Sequence, residues 1–241
     1  MRGAQYKKLL TEAYDLDKPD APPDQLARWL KLARAADGPV LEVMCGSGRF
    51  LVPLAEAGID IDGVDASADM LGACRARCAE SRVQPGVYQQ FVHELDLPRT
   101  YALAFIAAGS FGLLIEEADY RASLRALHAH LDPGALLVLE AETLENVPPA
   151  SGVWAGRWWT RADGALIVER RTSRYDRATN VEEGLNIYEL FVGGRLVETE
   201  LNDWTRRFWE PAVLEQEVRA AGFGKVSVRA GAGACSVHAR R

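Results

Sequence analysis

The chain has 241 residues, 48% of them hydrophobic, and a formal net charge of −6. That length and apolar content suffice for one domain, or one domain with an elaboration. The acidic balance, with no long Lys/Arg run, argues against a protein that tracks a nucleic-acid backbone. No window approaches the ~20 apolar residues that span a bilayer, and the segment Met1-Arg2-Gly3-Ala4-Gln5-Tyr6-Lys7-Lys8 lacks the apolar stretch of a signal peptide. A cytoplasmic protein with neither a nucleic-acid nor a membrane partner is therefore expected. Cys45, Cys74, Cys78 and Cys235 have no zinc-ligand spacing. No metal site is expected, and all four read as reduced thiols, Cys74 and Cys78 on one helix face.

Residues 4–17 read as a helix leading into the break Asp17-Lys18-Pro19-Asp20-Ala21-Pro22-Pro23. Asp24 is expected to cap a second helix to about residue 36, with Leu26, Trp29, Leu30 and Ala33 at helical spacing. A strand over 40–44, a helix over 50–57 stopped by Gly58, and a strand over 59–64 ending at Asp65 follow. Ser67 is placed to cap a helix that carries Met70-Leu71 and runs to about residue 78. Strands are expected at 86–90 and 103–107, the second free of charge, as suits a strand covered on both faces. A helix over 117–131, stopped at Asp132-Pro133-Gly134, precedes a strand over 135–140. This alternation predicts an α/β fold with right-handed crossovers and a mostly parallel sheet.

The period then changes. From 152 to 203 the chain reads as strands at 154–159, 166–170, 185–191 and 196–201, with hairpin turns at Asp163-Gly164 and Gly193-Gly194. An antiparallel sheet of three or four strands, inserted after the fifth strand, is expected. A helix over 211–221 and two strands at 225–230 and 236–239, forming a hairpin, complete the chain. The expected division is a helical cap at 1–36, an α/β core at 37–150 and 205–241, and the inserted sheet at 151–204.

The most informative segment is Val40-Leu41-Glu42-Val43-Met44-Cys45-Gly46-Ser47-Gly48. An apolar run that breaks into Gly-x-Gly ahead of a helix is a strand, a tight turn and a helix N-terminus, where backbone comes close to a ligand. Asp65, ending the next strand, is placed to accept two hydrogen bonds from a ribose diol. A dinucleotide site wants a third glycine where Leu51 stands. Glu42 would repel a phosphate yet suits an amino group or a sulfonium.

Glu-x-x-x-Gly-x-Gly followed by Asp65 resembles the first motif and acidic strand end of class I S-adenosylmethionine-dependent methyltransferases. Asp65-Ala66-Ser67-Ala68-Asp69-Met70-Leu71 resembles their second motif, and Leu131-Asp132-Pro133-Gly134-Ala135 their turn before strand five. The resemblance covers residues 1–140 and 205–240. It implies a Rossmann-like sheet of seven strands, mostly parallel, ending in an antiparallel hairpin. It also implies S-adenosylmethionine as cofactor, held by Tyr14, Glu42, Cys45, Gly46, Gly48, Asp65, Ala66, Met70, Gln90, Phe91, Val92 and Ala107. Met70 would pack on adenine and Tyr14-Asp15 fold over the cofactor. Adenine would be held by Phe91 stacking, the Val92 N–H and Gln90, or in another register by Asp96. Two positions depart from the pattern: Phe91 and Ala102 stand where the superfamily usually has acids.

The segment Ala108-Gly109-Ser110-Phe111-Gly112-Leu113-Leu114 resembles small-molecule methyltransferases. The inserted sheet is similar to that of amino-sugar N-methyltransferases, where it covers the active site or builds a dimer contact. Methyl transfer to nitrogen or oxygen of a small-molecule acceptor is thus expected, with a homodimer through the inserted sheet. His93, just after strand three, is the catalytic-base candidate, its plain alternative being a solvated loop histidine. Ser110, Phe111, Glu142, Trp154 and Trp158 are the acceptor-side candidates, with Glu140 on the same rim. Trp154 and Trp158 share one strand face and Trp159 takes the other, as a lid, a cation-binding wall or the sheet's own core. Two other readings stay open: an RNA or protein acceptor, and a non-catalytic cofactor-binding or scaffold protein.

Overall fold

The computed structural model describes residues 6–148 and 152–241. Residues 1–5 of the expected cap and its expected boundary between 150 and 151 lie outside the described residues. Helices α1 (Lys8–Asp17) and α2 (Pro23–Ala35) come first. Asp24 is not the cap of α2: Pro23 fills its first position, and Asp24 sits in the first turn, where a negative charge suits the helix dipole. Helix α1 has no local side-chain cap. Its Leu9 and Leu10 N–H groups donate to the Glu200 carboxylate at 2.9 and 3.1 Å, a partner 190 residues away.

Strands and helices then alternate as β1 (Val40–Val43), α3 (Leu51–Glu56), β2 (Ile61–Asp65), α4 (Ala68–Glu80), β3 (Val87–Gln89), β4 (Tyr101–Ile106), α5 (Glu117–Ala129) and β5 (Leu131–Glu142). The inserted strands are β6 (Ala155–Thr160), β7 (Leu166–Asp176), β8 (Val181–Val192) and β9 (Arg195–Arg207), followed by α6 (Pro211–Ala220), β10 (Gly224–Gly231) and β11 (Ala234–Arg240). Seven strands form one sheet in the order β10-β11-β5-β4-β1-β2-β3, and four form a second in the order β6-β7-β8-β9. In the first, β1 to β5 run parallel and β11 lies antiparallel to both β5 and β10. The order reverses beside β1, so the crevice at the carboxyl ends of β1 and β4 is the place such a sheet offers a ligand.

Both faces of the large sheet are covered. Trp29 of α2 stacks on Phe105 of β4, ring centroids 4.3 Å apart, while Tyr120, Leu124 and Leu127 of α5 pack on the other side with Leu137 and Leu139. The start of β4 shows how the chain tolerates Ala102. Asp62 of β2 accepts from Tyr101 Oη at 2.9 Å and Arg99 Nε at 2.8 Å, and Ala102 N–H donates to Pro39 O at 2.8 Å.

The second sheet is more regular than its sequence pattern. Positive φ at Gly193 (58°) and Gly194 (75°) makes the tight turn joining β8 to β9. Strands β7 and β8 extend six and four residues beyond the expected ends, to a turn at 177–180 built by Asp176, which accepts from Ala178 N–H at 2.9 Å and Thr179 Oγ1 at 3.0 Å. The last strand, β9, runs past residue 204 to Arg207.

Candidate active site

After Val43 the chain takes positive φ at Met44 (59°), Gly46 (55°) and Gly48 (81°) before α3 begins. A side chain at Gly48 has no room: its Cβ would lie 2.8 Å from Cys74 Sγ. Cys45 N–H donates to Val64 O at 3.0 Å, which fastens the turn to β2. Asp65 then receives Gly46 N–H and Ser67 N–H, each at 2.9 Å, and Ser67 Oγ caps α4 by accepting from Met70 N–H at 3.1 Å. Burial raises the Asp65 carboxyl, against the pull of backbone bonds from Ser67, Gly46 and Ala66.

Glu42 is 3% exposed, and its Oε2 has no hydrogen-bond partner. Burial pushes its carboxyl well above the usual range. An unpaired buried acid oxygen beside a glycine turn is the complement of an ammonium group. Asp65 keeps lone pairs for a diol after its two backbone bonds. The residues therefore fit the cofactor that the motifs imply.

Helix α1 lies across this turn. Ser47 Oγ donates to Asp15 Oδ1 at 2.6 Å, Arg77 pairs with the same carboxylate at 2.9 Å, and Ser67 Oγ donates to Tyr6 O at 2.7 Å. Tyr14, its phenol raised by burial, has the Arg49 guanidinium 5.8 Å from its ring centre. On the far side, Val92 and Met70 are buried and Phe91 is half-buried. Gln90 has a structural task of its own. Its amide already bonds the Asp96 backbone through both Nε2 and Oε1, at 2.8 Å each, which closes the loop after β3 and leaves one Nε2 hydrogen for a base.

Between α1, the ends of β1 and β4, and the inner face of the second sheet opens a cleft of about 330 Å³. Tyr6, Tyr14 and Lys18 line it from one side, Arg49, Ala108, Gly109, Ser110 and Glu142 from below, and Arg157, Trp159, Glu169, Arg171, Asn186, Tyr188 and Trp204 from the sheet. Glu169, 1% exposed, accepts from Tyr188 Oη at 2.7 Å, Asn186 Nδ2 at 2.9 Å and Arg157 Nε at 2.5 Å, and Arg157 reaches Asp17 of α1 at 3.0 Å. Arg206 joins Glu142 at 2.8 Å to Glu182 at 2.7 Å, tying the second sheet to the end of β5. Gly184 makes room for Trp204, whose ring atoms lie 2.1 to 2.5 Å from where a Cβ would stand.

Of the acceptor-side candidates, Ser110 and Glu142 line this cleft. Ala107 is buried at the end of β4, directly before the lining pair Ala108-Gly109, and Glu140 is taken up by Arg28 and by Ala108 N–H, the latter at 2.8 Å. Four candidates are corrected. Phe111 is fully buried against Trp209, centroids 5.4 Å apart, so it belongs to the core. Trp154 and Trp158, 56% and 69% exposed, point to the outer side; strand alternation sends Trp159 into the cleft instead. His93 lies in the 3-10 turn Val92–Glu94, outside the cleft lining, its ring 5.5 Å from Phe91 and its Nε2 buried without a hydrogen-bond partner. Trp159 was expected only as the residue on the face opposite Trp158, and Arg49, Glu169, Tyr188 and Trp204 were not anticipated. Trp159, Glu169, Tyr188 and Trp204 sit at inward positions of the second sheet; strand alternation sorts each strand's residues onto two faces without saying which turns inward.

Residues 40–134 match the family model described as a methyltransferase domain. The chain is 29% identical over 188 residues to the dTDP-3-amino-3,6-dideoxy-alpha-D-glucopyranose N,N-dimethyltransferase of Streptomyces fradiae, covering 74% of this chain and 71% of that one. Among solved structures, the CcbJ methyltransferase of Streptomyces caelestis superposes with a TM-score of 0.76 at 23% identity, over 99% of this chain and 97% of that one. S-adenosylmethionine-bound CalS10, an amino pentose methyltransferase from Micromonospora echinaspora, does so with a TM-score of 0.73 at 21% identity, over 98% of both chains. The two structural likenesses establish the fold, inserted sheet included. The glycine turn and its two acids, Glu42 and Asp65, fall within the matched span, so the chain carries a methyltransferase domain over residues 40–134 and is similar to the class I S-adenosylmethionine-dependent methyltransferases.

Proposed function

We propose that the protein methylates an amino nitrogen of a small anionic acceptor of the amino-sugar class, seated in the cleft between α1 and the second sheet. The observation that carries this reading is the lining. Lys18, Arg49, Arg157, Arg171, Arg206 and Arg207 outnumber Asp17, Glu142 and Glu169, in a chain of net charge −6. Cations gathered in a cleft draw in a negative group. They also oppose an ammonium, so the acceptor amine docks neutral, with its lone pair free. The Streptomyces fradiae and Micromonospora enzymes are named for a dTDP-linked amino sugar and an amino pentose, which supports nitrogen over oxygen.

In this reading Glu42, the turn at 45–48, Asp65, Ala66 and Met70, with Phe91, Val92 and Ala107, hold the cofactor, and Tyr14 closes over it. Bound S-adenosylmethionine supplies a methyl group on a cationic sulfur, already activated for in-line displacement. Ser110, Glu142, Trp159 and Tyr188 orient the amine, and alignment of this kind contributes several kcal/mol. Both carboxylates of the inner wall are engaged, Glu142 by Arg206 and Asn146, Glu169 by Tyr188, Asn186 and Arg157. The proton therefore leaves the amine to solvent before docking. Replacing His93 with alanine is expected to leave kcat far above the ~100-fold loss that removing a general base brings. In the same assay kcat/KM rises with pH through the acceptor amine's own pKa and then levels.

The test is product mass analysis with a nucleotide-linked amino sugar and its counterpart bearing a hydroxyl in place of the amine. One or two methyl groups on the amino compound alone are expected. Methylation of the hydroxyl compound, or none of the amine with cofactor bound, would overturn the assignment.

The division of labour follows: a cap at 1–36, a cofactor-binding core at 37–150 and 205–241, and an inserted sheet at 151–204 that roofs the cleft. Its outer face exposes Trp158, Leu196, Val197 and Leu201, flanked by the pairs Arg170–Glu189 and Arg174–Glu183. A face that carries apolar surface and both charge signs is complementary to its own two-fold mate, which supports a homodimer. Sedimentation should find a dimer that Trp158→Glu converts to monomer; a monomeric parent protein would exclude it. Four free thiols support a cytoplasmic address.

A further inference from the structure

One apolar row of the large sheet ends in polar side chains. The register sets Phe105 of β4 beside Val138 of β5, and Val138 beside His238 of β11. This row faces α2, whose Trp29 stacks on Phe105. Two residues further along β5, Glu140 stands opposite Ser236 on the same face. A carboxylate in that position costs free energy unless it is paired and hydrogen-bonded. Glu140, its side chain 17% exposed, has both oxygens engaged: Oε1 accepts from Arg28 of α2, and Oε2 accepts from Ala108 N–H at 2.8 Å. Arg28 also donates to Ser236 Oγ at 2.7 Å, and Ser236 Oγ lies 3.1 Å from His238 Nε2. The Arg28 guanidinium sits 4.8 Å from the centre of the Trp29 ring. The carboxylate is thus fixed from α2 and β11, and it reaches the loop that follows β4.

Ala108, which Glu140 holds, is under backbone strain. Its φ is 55°, and Gly109 follows at 74°. Glycine adopts such values freely, whereas an alanine Cβ is crowded there against a carbonyl oxygen. Gly109 in turn lies against β5, since a Cβ on it would stand 3.2 Å from Glu142 Cγ. The pair lines the cleft on one side and, on the α2 side, a groove of about 600 Å³. Ser110, which lines the cleft, comes next. We propose that Glu140 is a positioning residue for methyl transfer: it touches neither amine nor cofactor, and instead holds Ala108 left-handed through its N–H, with Arg28 fixing the carboxylate. This rests on the acceptor being seated in the cleft between α1 and the second sheet. A bond to an ionised carboxylate is among the stronger hydrogen bonds, and it offsets the crowding at Ala108. Strain of this kind persists only where the surroundings over-determine it. Without Glu140 the N–H loses its partner, the alanine relaxes toward negative φ, and Ser110 moves with it. In-line transfer tolerates little such movement, a misplacement of ~1 Å costing on the order of 100-fold in rate.

The test is steady-state kinetics of Glu140→Ala with a nucleotide-linked amino sugar, beside calorimetry with S-adenosylhomocysteine. The acceptor kcat/KM should fall by about 10- to 100-fold, while S-adenosylhomocysteine affinity stays nearly unchanged. Glu140→Gln keeps one acceptor oxygen and should recover part of the loss, so one variant remains informative if the other folds poorly. Ala108→Gly takes the left-handed conformation without crowding. In that background Glu140→Ala should lose less than in the parent protein, because the two substitutions act on one contact and do not add. Amide hydrogen exchange over residues 107–114 reads the same contact without turnover, and Glu140→Ala should exchange faster than the parent protein at Ala108. An unchanged kcat/KM, an equal weakening of S-adenosylhomocysteine, a loss of equal size in the Ala108→Gly background, or equal exchange would each overturn the proposal. Absence of turnover in the parent protein would instead count against the acceptor assignment, and amide exchange then still reads whether Glu140 holds Ala108.

Discussion

Replacing Asp65 with alanine is expected to weaken S-adenosylmethionine binding by about 1–3 kcal/mol, roughly 5- to 150-fold in Kd, as loss of charge-assisted hydrogen bonds to a ribose diol entails. The structure places the outcome toward the upper end. Asp65 also receives the Gly46 and Ser67 N–H groups, so its removal frees the glycine turn and the start of α4 together. Asp65→Asn keeps one acceptor oxygen and should lie between the two. Calorimetry on proteins checked for unchanged circular dichroism decides the matter, and undiminished affinity in folded Asp65→Ala would remove the ribose assignment. The neighbouring acid adds a pH signature. Burial holds the Glu42 carboxyl well above its usual range, so in the acidic range it carries a proton that it must give up to hold an ammonium. Cofactor affinity should then rise with pH, and binding should release a proton, visible as a buffer-dependent heat.

Arg206→Ala is expected to cost about 2–4 kcal/mol of stability, because removing the cation of a largely buried ion-pair network leaves its carboxylates without a counter-charge. Glu182 is nearly inaccessible and accepts from Arg206 Nε at 2.7 Å, while Glu142 accepts at 2.8 Å. Glu142 also takes Asn146 Nδ2 at 2.9 Å and Glu182 takes Ser173 Oγ at 2.5 Å, so each keeps a neutral partner, which tempers the loss. The loss should reach function as well as the melting temperature. Arg206 fastens the second sheet to the end of β5, so KM for the acceptor should rise more than the Kd for cofactor. Arg206→Lys, which retains charge but not the two-sided fork, should recover only part of either.

The core of the fold was legible because its signals are local. Val40 to Gly48 announces strand, turn and helix within nine residues, and Ser67 caps α4 where the motif puts it. The second sheet was legible as a change of period, its turns at 163–164 and 193–194 marked by glycine. Its third turn was not, since Arg177-Ala178-Thr179-Asn180 carries no Gly or Pro, and the strands it joins were drawn short. The cap of α1 was out of reach for a different reason: Glu200 supplies it from the other end of the chain. The proposed cofactor side of the site is drawn from motif residues. The acceptor side depended on which face of β6 turns inward, a matter of register that puts Trp159 in the cleft and leaves Trp158 on the outer face. Phe111 was misplaced because a tertiary partner, Trp209, claims it.

The most direct measurement is calorimetric titration of the purified protein with S-adenosylhomocysteine, beside a folded Gly46→Arg variant. Saturable one-to-one binding to the parent protein, lost in Gly46→Arg, is the expected result, since an arginine at a positive-φ turn facing Met70 leaves no space for a ligand. No binding to the parent protein, or equal binding to both, would contradict a cofactor held at this turn.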